Sequence, residues 1–236
     1  MTEGDIGSAK GHKPDQTRAA LVESAIDLFG KRGYDAASIR DIAAGAGANI
    51  ASIGYHFGGK EGLRLACARH AADFIGSVAA SGFSGLSPDR IGRLSPEEAE
   101  SMICEFVAVV VRAMMTAPAA EKIVRFLLRE IVGSSDAFDV IYSSVIEPTH
   151  RRLCSLWGAA TGEDPEAQSV RLGVFAVMGQ AVYFRIGQAV ITRRMGWRSY
   201  GPLEAEAIAA EIVANLKSAL DRHTKMTSVA LRGKRT

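Results

Sequence analysis

Ser38-Ile39-Arg40-Asp41-Ile42-Ala43-Ala44-Gly45-Ala46-Gly47-Ala48-Asn49-Ile50-Ala51-Ser52-Ile53-Gly54-Tyr55-His56-Phe57 reads as two short helices hinged at a glycine. Ser38 stands where a helix needs its N-cap, and Asp41 follows in the first turn, where a carboxylate is favoured. Ile42 and Ala43 are expected to face inward. Gly47 falls where the tight turn calls for a left-handed backbone, which glycine adopts with no Cβ to clash. Asn49 then caps a second helix whose Ile53 and Phe57 point back to the core. Left outside are Ile50, Ser52, Tyr55 and His56. Small, hydroxylated and donor-bearing side chains on one exposed helix face suit the base edges and phosphate oxygens of a DNA major groove. A hairpin packed for stability alone more often carries long charged side chains there.

The flanks extend the pattern. Thr17 to Phe29 carries apolar residues at helical spacing and stops at Lys31-Arg32-Gly33-Tyr34, with Gly33 as the expected C-terminal cap. After Phe57, Gly58-Gly59 breaks the chain and Lys60-Glu61-Gly62-Leu63 starts a further helix, whose positive N-terminal end together with Lys60 can hold a phosphate. With these words in order (A-x-x-L-F, G-Y, S-I-R-D-I-A and Y-H-F-G-G-K-E-G-L), residues 16–76 resemble the TetR family of transcriptional regulators. The resemblance implies a DNA-contacting set of Arg40, Asn49, Ile50, Ser52, Tyr55, His56 and Lys60, with phosphate anchoring carried by His56 and Lys60. Members often carry tyrosine where this chain has Gly54 and lysine where it has Ile50.

Bulk charge casts no vote for nucleic acid. The net charge is +2, and within residues 1–76 nine basic residues are matched by nine acids. Distribution is the remaining argument: Lys10, Lys13 and Arg18 lie in or beside a polar N-terminal arm that can trail across a duplex. The N-terminus lacks a basic-then-apolar signal pattern, and the longest apolar run, around Leu172 to Phe184, is too short to span a bilayer, so no membrane association and a cytoplasmic location are expected. Cys67, Cys104 and Cys154 are few, odd in number and widely spaced, which implies neither a disulfide framework nor a zinc site. The Cys67/His70 pair reads as ordinary helix-face residues. No G-x-S-x-G, phosphate-cradling loop, metal-spaced histidine cluster or Cys and His pair suited to catalysis is present, so neither an enzyme nor a cofactor is expected.

Beyond residue 80 the chain reads as helices between polar breaks, with no strand-like alternation. Ser81–Pro88 is expected as a loop, and Ser95-Pro96-Glu97-Glu98 as a helix start. Further helices cover about 120–131, 136–162 with a bend at Pro148, 164–195 as the longest, and 202–222. Arg129-Glu130, Ser135 to Asp139, Glu147-Pro148, Gln180-x-x-Tyr183-Phe184-Arg185 and Gly196-Trp197 are similar to the C-terminal domain of the CecR (YbiH-like) branch of the TetR family. That resemblance implies a dimerising domain with an effector pocket, in a branch associated with sensitivity to antibiotics and other toxic small molecules.

The expected fold is therefore all-α. Residues 1–15 form a flexible arm, 16–62 a helix-turn-helix domain, 63–222 a larger effector-binding and dimerisation domain, and 223–236 a basic tail. Candidate effector contacts are Phe126, Arg129, Glu130, Phe138, Tyr142, Trp157, Met178 and Tyr183, large apolar side chains with a few polar ones. Candidate dimer contacts, from apolar spacing on the last two long helices, are Val174, Met178, Ala181, Ile208, Ile212 and Leu216. The expected partners are double-stranded operator DNA, a small-molecule effector and a second copy of the chain. A repressor released by its effector is the leading expectation; a helical protein-interaction module that reads no DNA is the alternative.

Overall fold

Helices make up about 82% of the protein, and no strand occurs among the described residues. The computed structural model describes residues 12–233 apart from Gly85 and Ser87. In chain order the helices are α1 (His12–Arg32), α2 (Ile39–Gly45), α3 (Ala51–Phe57), α4 (Lys60–Gly82), α5 (Pro88–Ile91), α6 (Pro96–Thr116), α7 (Ala120–Gly133) and α8 (Asp136–Ile141). A π-helical turn, Tyr142–Ile146, leads into α9 (Glu147–Thr161), followed by α10 (Gln168–Ile186), α11 (Gln188–Met195) and α12 (Pro202–Gly233).

Several boundaries differ from expectation. The proposed arm lies mostly outside the described residues, but α1 already begins at His12, with Pro14 tolerated in a first turn whose N–H groups have no intrahelical partner. Residues 164–195 are two helices rather than one, bent by 74° at Gly187. The longest helix is α12, at 32 residues, and it carries helical backbone well past the expected end near Arg222, through most of the supposed tail. Among the described residues no single helix is long and apolar enough to cross a membrane.

The chain divides into two units. The first comprises residues up to 72 together with 125–141. Its core is built by Leu21, Ala25 and Phe29 of α1, Ile42 of α2, Ile53 of α3 and Leu63 of α4, all buried. The later segment contributes Phe126, whose ring lies 6.4 Å from that of Phe29, and Ile141. Sequence spacing assigns 125–141 to the C-terminal domain instead, because nothing local to α7 and α8 says which neighbour their apolar faces meet.

The second unit comprises 73–124 and 142 onward. Helix α6 starts with the expected capping box, Ser95 Oγ accepting from Glu98 N at 3.2 Å while the Glu98 carboxylate accepts from Ser95 N at 2.8 Å. Helices α6, α9, α10 and α12 pack around Trp157, Ile103, Val174, Ile212 and Leu216. Helix α12 is amphipathic, burying Ala205, Ile208, Ile212, Leu216 and Leu220 at helical spacing. Its start is fixed by Glu204, which accepts from Gly201 N at 2.9 Å.

Candidate functional site

The hairpin forms as its residues dictate. Ser38 Oγ accepts from Asp41 N at 3.0 Å, and Gly47 turns the chain at φ +60°. Asn49 is not the N-cap expected of it: Ile50 holds that position with no side-chain hydrogen bond, and Asn49 Oδ1 instead accepts from Ala51 N at 2.9 Å, where the chain enters α3. Helix α3 ends at Gly58, φ +72°. Gly62, one turn into α4, lies so close to α3 that a Cβ there would stand 1.9 Å from the Phe57 carbonyl oxygen. In the sequence Gly62 reads only as part of a motif, with no role of its own; this close approach leaves room there for no side chain.

Ile53 faces the core, and Phe57 is half-buried with the Arg18 guanidinium 5.6 Å from its ring centre. The opposite face of α3 is open: Tyr55 is 84% exposed, Ile50 is exposed, Ser52 and His56 are partly so, and nothing lies within 4 Å of a Cβ built on Gly54. Arg40 is exposed on α2. Lys60 sits at the start of α4 with its Nζ 4.4 Å from the Tyr34 ring centre and 3.4 Å from the Asp35 carbonyl oxygen. Burial, reinforced by a hydrogen bond to Glu61, pushes the Tyr34 hydroxyl up to about 12, so the ring beneath these cations stays neutral.

Behind this face lies a charged clamp. Arg64 of α4 rests over the same Tyr34 ring at 4.3 Å and pairs with Glu130 of α7 at 2.8 Å. Glu130 is only 2% exposed; it also accepts from the hydroxyl of Ser135, and Ser135 Oγ accepts from Phe138 N at 3.2 Å. Glu130 and fully buried Phe126, expected at the effector pocket, therefore belong to the unit that carries α3, as do Arg129 and Phe138.

The second unit has a partly open cavity between α6, α9, α10 and α12, lined by apolar side chains including Phe106, Val107 and Leu153. Of the expected effector residues, Trp157 and Met178 line it. Tyr142 instead borders a separate polar cleft, where His150 Nε2 lies 3.2 Å from the Arg171 carbonyl oxygen and the His150 ring stacks on Phe175 at 4.0 Å. Tyr183 is exposed.

The expected dimer contacts need correction. Ile212 and Leu216 are 0% exposed in the single chain, and Val174, Ala181 and Ile208 are buried with them, so their side chains already form the internal core and are not available to a second copy. Met178 lines the cavity. The apolar side chains that do reach the surface of α10 are Leu172, Phe175, Tyr183 and Ile186, beside an open Gly179. On α12 exposed Leu203, Ala207, Ala210 and Ala214 follow one another at helical spacing. The exposed sides of the two helices adjoin, since Asn215 Nδ2 donates to Gln180 Oε1 at 3.0 Å.

A helix-turn-helix hairpin in one unit and a helical unit with an apolar cavity in the same chain define a class, the one-chain DNA-binding regulators. Comparison with known proteins agrees with that class. Residues 21–67 match the profile of bacterial regulatory proteins of the tetR family, and residues 99–221 match the C-terminal domain of the HTH-type transcriptional dual regulator CecR. The chain is 32% identical over 213 residues to the dual regulator CecR of Shigella flexneri, covering 86% of this chain and 91% of that protein. Solved structures of similar fold include the TetR family regulator PfmR of Thermus thermophilus (TM-score 0.58, 19% identity, 86% of this chain and 95% of that one). Another is the ketosteroid regulator KstR2 of Mycobacterium tuberculosis (TM-score 0.59, 19% identity, 90% and 96%). The chain belongs to the TetR family of DNA-binding transcriptional regulators, in its CecR branch; its relatives are regulators and not enzymes.

Proposed function

We propose that the protein is a homodimeric repressor that binds a palindromic operator and leaves it when a small molecule occupies the second unit. The observation that carries this reading is the open face of α3: a tyrosine 84% exposed, with Ile50, Ser52 and His56 around it, on a helix pinned at both ends by glycine turns. Tyr55 and Ile50 lie together with hydroxyl- and imidazole-bearing neighbours on one open face, and a grouped patch of this mixed kind, rather than any single exposed ring, suits a nucleic-acid groove. In this reading Tyr55, Ser52 and Ile50 meet base edges, while His56, Lys60 and Arg40 meet phosphates, which position the protein without reading sequence. Asn49 serves through its hydrogen bond to Ala51 N, where the chain enters α3.

Two heads are needed for a palindrome, with recognition helices about 34–36 Å apart to enter successive major grooves. The exposed apolar faces of α10 and α12 support a second copy of the chain as their cover, forming a four-helix interface. The cavity among α6, α9, α10 and α12 supports the effector site, because those helices include the ones that carry this face. A ligand that favours one spacing of the heads over another shifts the equilibrium between bound and free operator.

The test is selection of fragments from genomic DNA by the full-length protein at several salt concentrations. The expected product is a single palindromic motif, bound with a steep salt dependence. Recovery of fragments with no shared motif would overturn the reading.

A further inference from the structure

Tyr34 lies in the connection between α1 and α2, and residues from the first two turns of α4 close on its side chain. Lys60 Nζ is 4.4 Å and the Arg64 guanidinium 4.3 Å from the ring centre, while Glu61 hydrogen-bonds the hydroxyl. The Phe29 ring lies 5.5 Å away, tilted by 42°. Arg64 is in turn fixed by buried Glu130. The Tyr34 ring is thus held from several sides.

Lys60 stands where a cation is electrostatically disfavoured. It is the first residue of α4, at the positive end of the helix dipole, and it shares its ring with a second cation, Arg64. The negative face of the Tyr34 ring and the Asp35 carbonyl oxygen, 3.4 Å from Nζ, offset that repulsion. The backbone end of Lys60 is fixed as well, by Gly58 and Gly59 at φ +72° and +135°. An ammonium has three N–H groups. The carbonyl engages one and the ring face another at most, so at least one stays free for a phosphate oxygen. A lysine held at both ends has already given up rotamer freedom that an unheld one loses only on meeting its partner.

Resting on the reading of Lys60 as a phosphate contact, we propose that Tyr34 is a positioning residue for DNA binding: its ring face holds the Lys60 ammonium in place to meet the duplex backbone. The ring does this, and the hydroxyl does not. A Tyr34 that only pins α4 to the α1–α2 connection makes a different prediction. Its loss lowers the folded fraction and leaves unchanged the number of ions released per bound protein, which counts phosphate contacts.

The test titrates the full-length protein with two duplexes at several salt concentrations: the fragment recovered by the selection described above, and a random-sequence duplex of about 30 base pairs, room for two half-sites one helical turn apart. Phosphate contacts carry no sequence information, so the random duplex serves even where selection yields no shared motif. Lys60→Met sets the scale and should lower the salt slope by about one per head. Tyr34→Leu should lose most of the same slope and roughly 3- to 10-fold in affinity; adding it to Lys60→Met should change neither further. Tyr34→Phe, the conservative variant, should retain both. Placing 3,4,5-trifluorophenylalanine at position 34 keeps the shape of that ring and drains its face of electron density, and should reproduce Tyr34→Leu. Should Tyr34→Leu fail to fold, the fluorinated ring against Tyr34→Phe decides. A slope unchanged by fluorination, or by a folded Tyr34→Leu, while Lys60→Met lowers it, overturns the inference and leaves the Lys60 phosphate contact standing. A slope unchanged in Lys60→Met removes that contact, and the inference with it.

Discussion

A Cβ built on Gly62 would stand 1.9 Å from the carbonyl oxygen of Phe57, inside any permitted non-bonded distance, and both partners are backbone or rigidly attached to it. Gly62→Ala must therefore prise α3 from α4; a loss of about 1–3 kcal/mol or more in stability, read from the urea midpoint, and loss of operator binding are expected. Tyr55 makes the opposite prediction. Its side chain lies mostly in water, so Tyr55→Ala should leave stability within about 0.5 kcal/mol yet weaken operator binding roughly tenfold or more, the scale of a lost base contact. Unchanged affinity in a gel-shift titration would remove Tyr55 from the reading face. The cysteines give a pH test. Burial pushes the Cys104 and Cys154 thiols up to about 11 from an ordinary value of 9.0, and Cys67 higher still. The folded state thus holds protons that the unfolded chain releases, so this stabilisation is full below about pH 9 and is lost as the pH rises through about 11. Urea midpoints should fall between pH 9 and 11, and the thiols should resist iodoacetamide at pH 8 until denaturant is added.

At the scale of elements, the hairpin is legible in the sequence because each signal is local: Ser38 as a cap, Gly47 at positive φ, the inward Ile42 and Ile53. The long-range partners are not. Helix α10 is apolar nearly all round, with Val170, Val174 and Val177 on one side and Leu172, Phe175 and Ile186 on the other, so periodicity alone does not say which side is core. Spacing accordingly assigns to a second copy the side that packs into the chain's own core. Glu130 reads as a polar pocket residue because a lone carboxylate gives no hint of an arginine 66 positions away. The clamp it forms makes a prediction of its own. Arg64→Met leaves the Glu130 carboxylate buried with no counter-charge, which should cost about 3–5 kcal/mol. Ser135 and the backbone around α8 cannot replace the lost cation. Glu130→Gln, which leaves Arg64 over Tyr34 and partly exposed, should cost less. Equal unfolding midpoints for Arg64→Met and the unaltered protein would show that the pair contributes nothing net.

For the whole molecule, the dimer face proposed on α10 and α12 allows assembly to be tested apart from folding. Ile186 is exposed in the single chain, so Ile186→Glu should leave each protomer folded while driving it to monomer in sedimentation, with operator affinity falling at least about 100-fold as the linked second head is lost. Leu216→Glu, by contrast, buries a charge in the internal core and should unfold the second unit outright. A monomer-free Ile186→Glu protein would move the interface elsewhere. The division of the chain has a further consequence. The unit that carries α3 is discontinuous, taking residues up to 72 and then 125–141. Hybrid regulators made by grafting one protein's N-terminal head onto another's sensor at a single junction near residue 72 would part Arg64 from Glu130 and Phe29 from Phe126. A head of this kind is inherited in two pieces, and a transplant that keeps its DNA preference must carry both.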